Sequence, residues 1–215
     1  MRKRQYSRLD NIIMQIDDVL SESSKLPTEH IKREYPGELT PESNLSREEK
    51  KHVSGLMRVN HAGEISAQAL YKAQSLTAID NKLKESMKKS ADEEIDHLNW
   101  CEKRLDELGG HTSYLSFIWY LGSFGVGIIA GCFGDKLNLG FIAETEHQVA
   151  KHLSSHIEKL PKHDERSRVI LEQMREDELH HATVAETGGA ENLPEGVRRL
   201  MTLISKIMTR TAYHI

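Results

Sequence analysis

Apolar residues recur every three or four positions along most of the chain, and no stretch alternates convincingly with period two. That period marks helices with one buried face, so the pattern predicts an all-α fold. Positions 7–21 carry Leu9, Ile12, Ile13, Ile16, Val19 and Leu20 at helical spacing, a short amphipathic helix suited to clasp the domain or to lie on a membrane. Pro27, Pro36, Gly37 and Pro41 then break the pattern, and 22–45 reads as a linker. The expected organisation is an amino-terminal helix and linker over 1–45, followed by one domain over 46–215.

Inside that domain the stop and start signals divide the chain into long helices. Ser46-Arg47-Glu48-Glu49 has the form of a capping box, which starts a helix reaching about Thr77. A second is expected from near Asp80 to Gly109-Gly110, and a third from Asp135 or Asn138 to Leu160, stopped by Pro161. The fourth runs from near Asp164 to Gly188-Gly189. A last amphipathic helix over 194–210 sets Val197, Leu200, Leu203, Ile204 and Ile207 against Arg198, Arg199, Lys206 and Arg210.

The stretch 112–134 stands apart, because it carries no formal charge and is the most apolar part of the chain. Its length alone permits a spanning helix. Its glycines at 122, 125, 127, 131 and 134 argue instead for close packing or an irregular path. A true span would also leave the helices before and after it on opposite sides of the membrane. A long crossover that is buried, or dips into one leaflet, is the expectation.

Composition narrows the function classes. A length of 215 residues suits one domain with a sizeable core, and a formal net charge of −4 gives no reason to expect nucleic acid. Two cysteines, Cys101 and Cys132, make neither a disulfide framework nor a zinc finger, and point to a reducing compartment. The basic start, Met1 to Tyr6, lacks the apolar run of a secretory signal.

Two stretches share a chemical signature: Asp92-Glu93-Glu94-Ile95-Asp96-His97 and Glu176-Asp177-Glu178-Leu179-His180-His181. Each places a Glu three residues before a His, on one helix face about a turn apart. A lone Glu precedes each by a similar interval: Glu64 lies 30 residues before Glu94, and Glu146 lies 32 before Glu178. Four helices delivering Glu, Glu-x-x-His, Glu and Glu-x-x-His inward is the ligand plan of ferritin-like di-metal carboxylate proteins.

The apolar stripes choose among the carboxylates. Leu83, Met87, Ala91, Leu98, Cys101 and Leu105 share the direction of Glu94, while Glu93 points about 100° away. The third helix contains a rival pair, Glu144 and His147. Leu139, Ile142, Ala150, Leu153, Ile157 and Leu160 cluster around Glu146, and Glu144 points about 160° away, so Glu146 is the inward one. Leu171, Met174, Ala182 and Ala185 share the face of Glu178 with His181 nearby, while His180 turns out. Val53, Met57, Ala67 and Tyr71 bracket Glu64, and Gly63 beside it leaves room at a metal or substrate. Four buried carboxylates without partners would cost several kcal/mol each. Two divalent ions cancel their charge. Oxygen-rich ligands with one imidazole per metal suit iron or manganese and leave positions open for O₂. Spacing alone does not separate a hydroxylase from a ferroxidase or a peroxide scavenger, and a non-catalytic helical protein acting through its apolar surfaces is the remaining rival.

The string Leu56-Met57-Arg58-Val59-Asn60-His61-Ala62-Gly63-Glu64, the block from Asp92 to Trp100, Glu146 with His152, and Glu178 with His180-His181 resemble the demethoxyubiquinone hydroxylases, in their longer bacterial branch. The resemblance covers about 46–215. It implies a ferritin-like four-helix bundle holding two iron ions, with Glu64, Glu94, His97, Glu146, Glu178 and His181 as ligands. It implies a monooxygenase that uses O₂ to hydroxylate a polyprenyl benzoquinol late in ubiquinone biosynthesis, with electrons from the bound quinol or from NADH. His152 matches a histidine implicated in electron and proton transfer near the quinone; many eukaryotic members follow it with Tyr, where this chain has Leu153. Helix geometry sets His152 beside the site, about 120° from Glu146. The resemblance further implies peripheral attachment to one leaflet, on the cytoplasmic side of the inner membrane, as a homo-oligomer or in a ubiquinone-biosynthesis complex.

Overall fold

The computed structural model describes residues 33–215; the helix expected over 7–21 lies outside the described residues. Six helices follow: α1 (Arg47–Thr77), α2 (Asn81–Leu108), α3 (Ser116–Gly131), α4 (Asp135–Lys159), α5 (Glu165–Thr187) and α6 (Glu195–His214). No strand occurs among the described residues, so the fold is all-α.

Local chemistry sets the ends. Ser46 Oγ accepts the Glu49 N–H at 3.3 Å and Glu49 Oε2 accepts the Ser46 N–H at 2.8 Å, closing the capping box of α1. Asp80 and Asp164 cap α2 and α5 by accepting the N–H groups of Lys82 and Ser167. α2 stops at Gly109, whose φ of 70° is the left-handed cap. The α1–α2 turn is tied to the start of α4 by Asp135, which accepts the N–H groups of Ile79 and Asp80, each at 2.9 Å.

Two antiparallel hairpins, α1–α2 and α4–α5, form the bundle. At one end Leu56, Met57, Trp100, Cys101, Leu105, Leu153, Leu171 and Met174 pack together; at the other, Tyr71, Met87, Ala91, Leu139 and Ile142 do. The polar cluster described below lies among these apolar layers. α6 crosses α1, with Ala212 and Tyr213 against Val59 and Ala62.

The apolar crossover is itself helical, so of the two paths its glycines allowed, close packing holds and the irregular path does not. α3 lies along α1, with Phe124 buried against Ala69 and Ala73. A Cβ on Gly127 would meet Ala73 and the Leu70 carbonyl, and one on Gly131 would collide with Thr77. The glycines therefore permit close helix contact. The opposite face of α3 shows Phe117, Ile118, Leu121, Val126 and Ile129 to solvent. Among the described residues no helix is long and apolar enough to cross a membrane.

The segment before α1, read from sequence as linker, is docked over its described part. Arg104 of α2, fully buried, donates to Glu42, Glu107, Asp164 and Ser167. Tyr35 reaches Glu107, and the Lys103 ammonium sits over the Tyr35 ring. α6 runs to His214, past the expected end at 210, because Arg58 holds the Tyr213 carbonyl at 2.9 Å and His52 meets the Tyr213 hydroxyl.

Candidate metal centre

Glu64, Glu94, His97, Glu146, Glu178 and His181 are brought together and buried, each at most 5% exposed. They form two overlapping groups: Glu64, Glu94, His97 and Glu178, then Glu94, Glu146, Glu178 and His181, with ligating atoms within 4.8 Å of one another in each. Glu94 and Glu178 belong to both. His97 Nδ1 lies 3.1 Å from Glu178, 3.2 Å from Glu94 and 3.6 Å from Glu64. His181 Nδ1 lies 3.5 Å from Glu94 and 3.6 Å from Glu178.

The other nitrogen of each ring explains this orientation. His97 Nε2 donates to Asp177 at 3.0 Å, and His181 Nε2 donates to Glu93 at 2.7 Å. An N–H fixed on Nε2 turns the Nδ1 lone pair toward the centre, the carboxylate–histidine–metal arrangement. The pairing is crossed: α5 supplies the acid for the histidine of α2, and α2 the acid for that of α5. Asp177 is itself gripped by Arg33 through two bonds, 2.6 and 3.2 Å, and by Gln173 at 3.1 Å. Sequence reasoning missed Glu93 and Asp177. The signal was present, since an acid precedes the Glu of both Glu-x-x-His motifs. Tyr71, noted only as part of a stripe, donates its hydroxyl to Glu146 Oε1 at 2.5 Å.

The rivals lie elsewhere. Glu144 accepts from Gln148, and His147 pairs with Glu186 at an exposed position. His180 is exposed.

Burial raises Glu64 and Glu146 well above the usual carboxylate range, with help from the charges of Glu94 and Glu178. Glu94 and Glu178 are held low despite burial, by the His181 and His97 imidazoles beside them. Burial opposes charge on His97 and His181, but their acidic hydrogen-bond partners outweigh it and raise both. Protons are thus favoured on Glu64, Glu146, His97 and His181 over Glu94 and Glu178. Two divalent cations match the four carboxylates in charge. Glu94 Oε1, Glu146 Oε2, both Glu178 oxygens and His181 Nδ1 are buried without a hydrogen-bond partner. Buried polar atoms of that kind need a partner, and the donor set of oxygen and imidazole fits iron or manganese.

A cavity of about 430 Å³ adjoins the cluster, walled by α1, α3, α4 and α6. Val59, Ala67, Leu70, Phe141, Leu153 and Ile204 make it apolar. Of the six clustered residues only Glu64 reaches its wall. His152 lies on that wall, beside the cluster, with Nε2 buried and unpartnered. Its ring contacts that of His156 at 4.0 Å, and His156 Nδ1 meets Asn60 at 2.8 Å. Burial, with Lys159, lowers His152 to about 4, so the imidazole is neutral near pH 7 and Nε2 is free to accept. Leu153 is a core residue.

The family model of ubiquinone biosynthesis protein COQ7 matches residues 51–212. The chain is 50% identical over 210 residues to the 3-demethoxyubiquinol 3-hydroxylase of Polynucleobacter necessarius, covering 97% of this chain and all of that one. It is 49% identical over 215 residues to that of Nitrosococcus oceani, covering both chains fully. To that of Legionella pneumophila strain Paris it is 49% identical over 212 residues, 99% of this chain and all of the relative.

Proposed function

The chain belongs to the family of ubiquinone biosynthesis protein COQ7, and on that premise we propose that it hydroxylates a polyprenylated demethoxy-benzoquinol at a pair of iron ions. The relatives quoted above carry the name of that reaction, 3-demethoxyubiquinol 3-hydroxylase, over their whole length. The observation that carries the reading is the contact between the two halves of the site: Glu64 belongs both to the acidic cluster and to the wall of the apolar cavity.

Glu64, Glu94 and His97 with Glu178 would hold one ion, and Glu146 and His181 with the same Glu94 and Glu178 the other. The reduced iron pair supplies the activation of O₂ needed to place one oxygen atom on the ring. Everything else falls to the protein. The apolar walls exclude water and fit a benzoid ring, while His152 Nε2 accepts a hydrogen bond from a quinol hydroxyl and so fixes which edge of the ring faces Glu64. Asp177 and Glu93 keep the two histidines in one tautomer. Electrons arrive through the quinol or from NADH.

An isoprenoid tail does not reach the cavity through water. Exposed Phe117, Ile118 and Leu121 of α3, and Leu200, Leu203 and Ile207 of α6, form apolar surface near the cavity walls contributed by those helices. Arg198, Arg199, Lys206 and Arg210 add positive charge to α6. Apolar burial with about 1 kcal/mol per basic residue supports peripheral attachment to one anionic leaflet, which for this reading is the cytoplasmic face of the inner membrane.

A ferroxidase or peroxide scavenger could use the same ligands but has no use for a large apolar chamber. The test is a single turnover: protein loaded with two ferrous ions is mixed with ¹⁸O₂ and a short-tailed demethoxy-quinol. The proposal expects one labelled oxygen on the ring. Oxidised iron with unaltered quinol would overturn it in favour of the ferroxidase.

A further inference from the structure

The glycines of these helices fall into two kinds. At Gly55, Gly127, Gly131 and Gly140 an added Cβ would run into Tyr213, Ala73, Thr77 and the Glu191 carbonyl respectively, so packing demands glycine there. At Gly63 and Gly122 an added Cβ would meet nothing within 4 Å. Both lie on the wall of the cavity, Gly63 from α1 and Gly122 from α3. Glycine inside a helix destabilises it relative to alanine, and no neighbour here offsets that loss. Gly125 of α3 and Gly196 of α6 are equally clear but do not line the cavity, so Gly63 and Gly122 are the two clear glycines of these helices on its wall.

Their depths differ. Gly63 is partly buried and adjoins Glu64, the single clustered residue that reaches the cavity. Gly122 is exposed, one helical turn from Ile118 and Val126, which also line the cavity and are 56% and 37% exposed. One glycine stands at the closed end beside the carboxylate and the other at the mouth.

We propose that Gly63 and Gly122 are the specificity-determining residues of the cavity: Gly63 clears the space in which the substrate ring meets Glu64, and Gly122 clears the passage of its isoprenoid tail. This rests on the quinol reading above and assigns each part of that substrate to a part of the wall. A side chain at 63 fills volume only the ring uses, whatever the tail. A side chain at 122 obstructs what extends beyond the ring, so its effect grows with tail length. At either position an added Cβ meets no neighbour, so alanine leaves the bundle and the six clustered residues in place.

The experiment uses the metal-loaded protein and its Gly63→Ala, Gly63→Leu and Gly122→Leu variants. Binding is read by quenching of tryptophan emission, since Trp119 lies on the cavity wall. The probes are a tail-less methoxy-methyl-1,4-benzoquinone and the same ring with a three-unit isoprenoid tail. Gly63→Ala is expected to keep two metals and raise the melting temperature by about 2–4 °C. It should weaken both probes, and Gly63→Leu should weaken both by roughly tenfold or more. Gly122→Leu should weaken the tailed probe roughly tenfold more than the tail-less one. Wild-type affinity of Gly63→Leu for the tail-less ring, or equal effects of Gly122→Leu on both probes, would overturn the assignment. A wild-type protein that binds metal but neither quinone would overturn the quinol reading itself, together with what is built on it.

Discussion

Two clusters of buried charge sit in one bundle and have opposite character. Around Arg104 five N–H donors meet Ser167, Glu42, Glu107 and Asp164. The cation is fully bonded, and in the acids around it one oxygen, Asp164 Oδ2, is buried without a partner. Around Glu94 and Glu178 four buried carboxylates face two histidines, with no Lys or Arg among the grouped residues, and several buried oxygens have no partner. A fully bonded cation holds structure, whereas a network short of positive charge marks a place for ions.

The largest effects should come from the carboxylate cluster. Glu94→Ala or Glu178→Ala removes a carboxylate common to both groups, so iron should be lost and turnover should fall by orders of magnitude. Glu146→Ala should also lose metal, whereas Glu144→Ala, whose carboxylate only meets Gln148, should keep it. Metal analysis after purification decides, and full iron content in the Glu94 and Glu178 variants would erase the contrast.

At the Arg104 cluster the expected loss is stability. Arg104→Met leaves Asp164 buried without its cation and should cost about 3–5 kcal/mol in urea unfolding. The metal ligands themselves are untouched, so folded variant should still load two ions. A variant of normal stability that failed to load metal would reverse the roles assigned to the two clusters.

A smaller effect sharpens the comparison from within the metal centre. Asp177→Asn and Glu93→Gln remove the acids behind His97 and His181 and should weaken metal binding by about 10–100-fold with the fold intact. Equal effects are not expected, since Asp177 is also held by Arg33 and Gln173. Unchanged affinity in both variants would show that the bundle alone orients the rings. Smallest at the centre, but decisive for access, is the change of Phe117 and Ile118 to Asp. Both are exposed, at 46% and 56%. Membrane co-sedimentation and turnover of long-tailed quinol should fall while two irons remain. An active, membrane-bound variant would place the entrance elsewhere.

Much of this was legible in the sequence because single-helix geometry decides it. The Ser46 capping box, Gly109, Pro161 and Gly189 delimit the bundle helices, and the apolar stripes separate Glu146 from Glu144. What one helix cannot reveal is which neighbour lies behind a side chain. Glu93 points off the axis of Glu94 because it reaches across to His181 on α5. Asp177 likewise serves a histidine on α2. The helical form of α3 was obscured by its glycines, since the same residue breaks a helix in one setting and lets two helices touch in another. Gly63 was legible as room, but only the cavity shows room for what.

The central claim is that the cluster of four carboxylates and two histidines holds two divalent ions, and anaerobic titration of metal-free protein with Fe²⁺ in weak buffer tests it most directly. Saturation should come at two irons per chain, and because Glu64, Glu146, His97 and His181 are all raised, binding should release protons. Because protons compete with the metal for these raised groups, affinity should fall as pH falls. Saturation at one iron or none, or binding without proton release, would contradict the account.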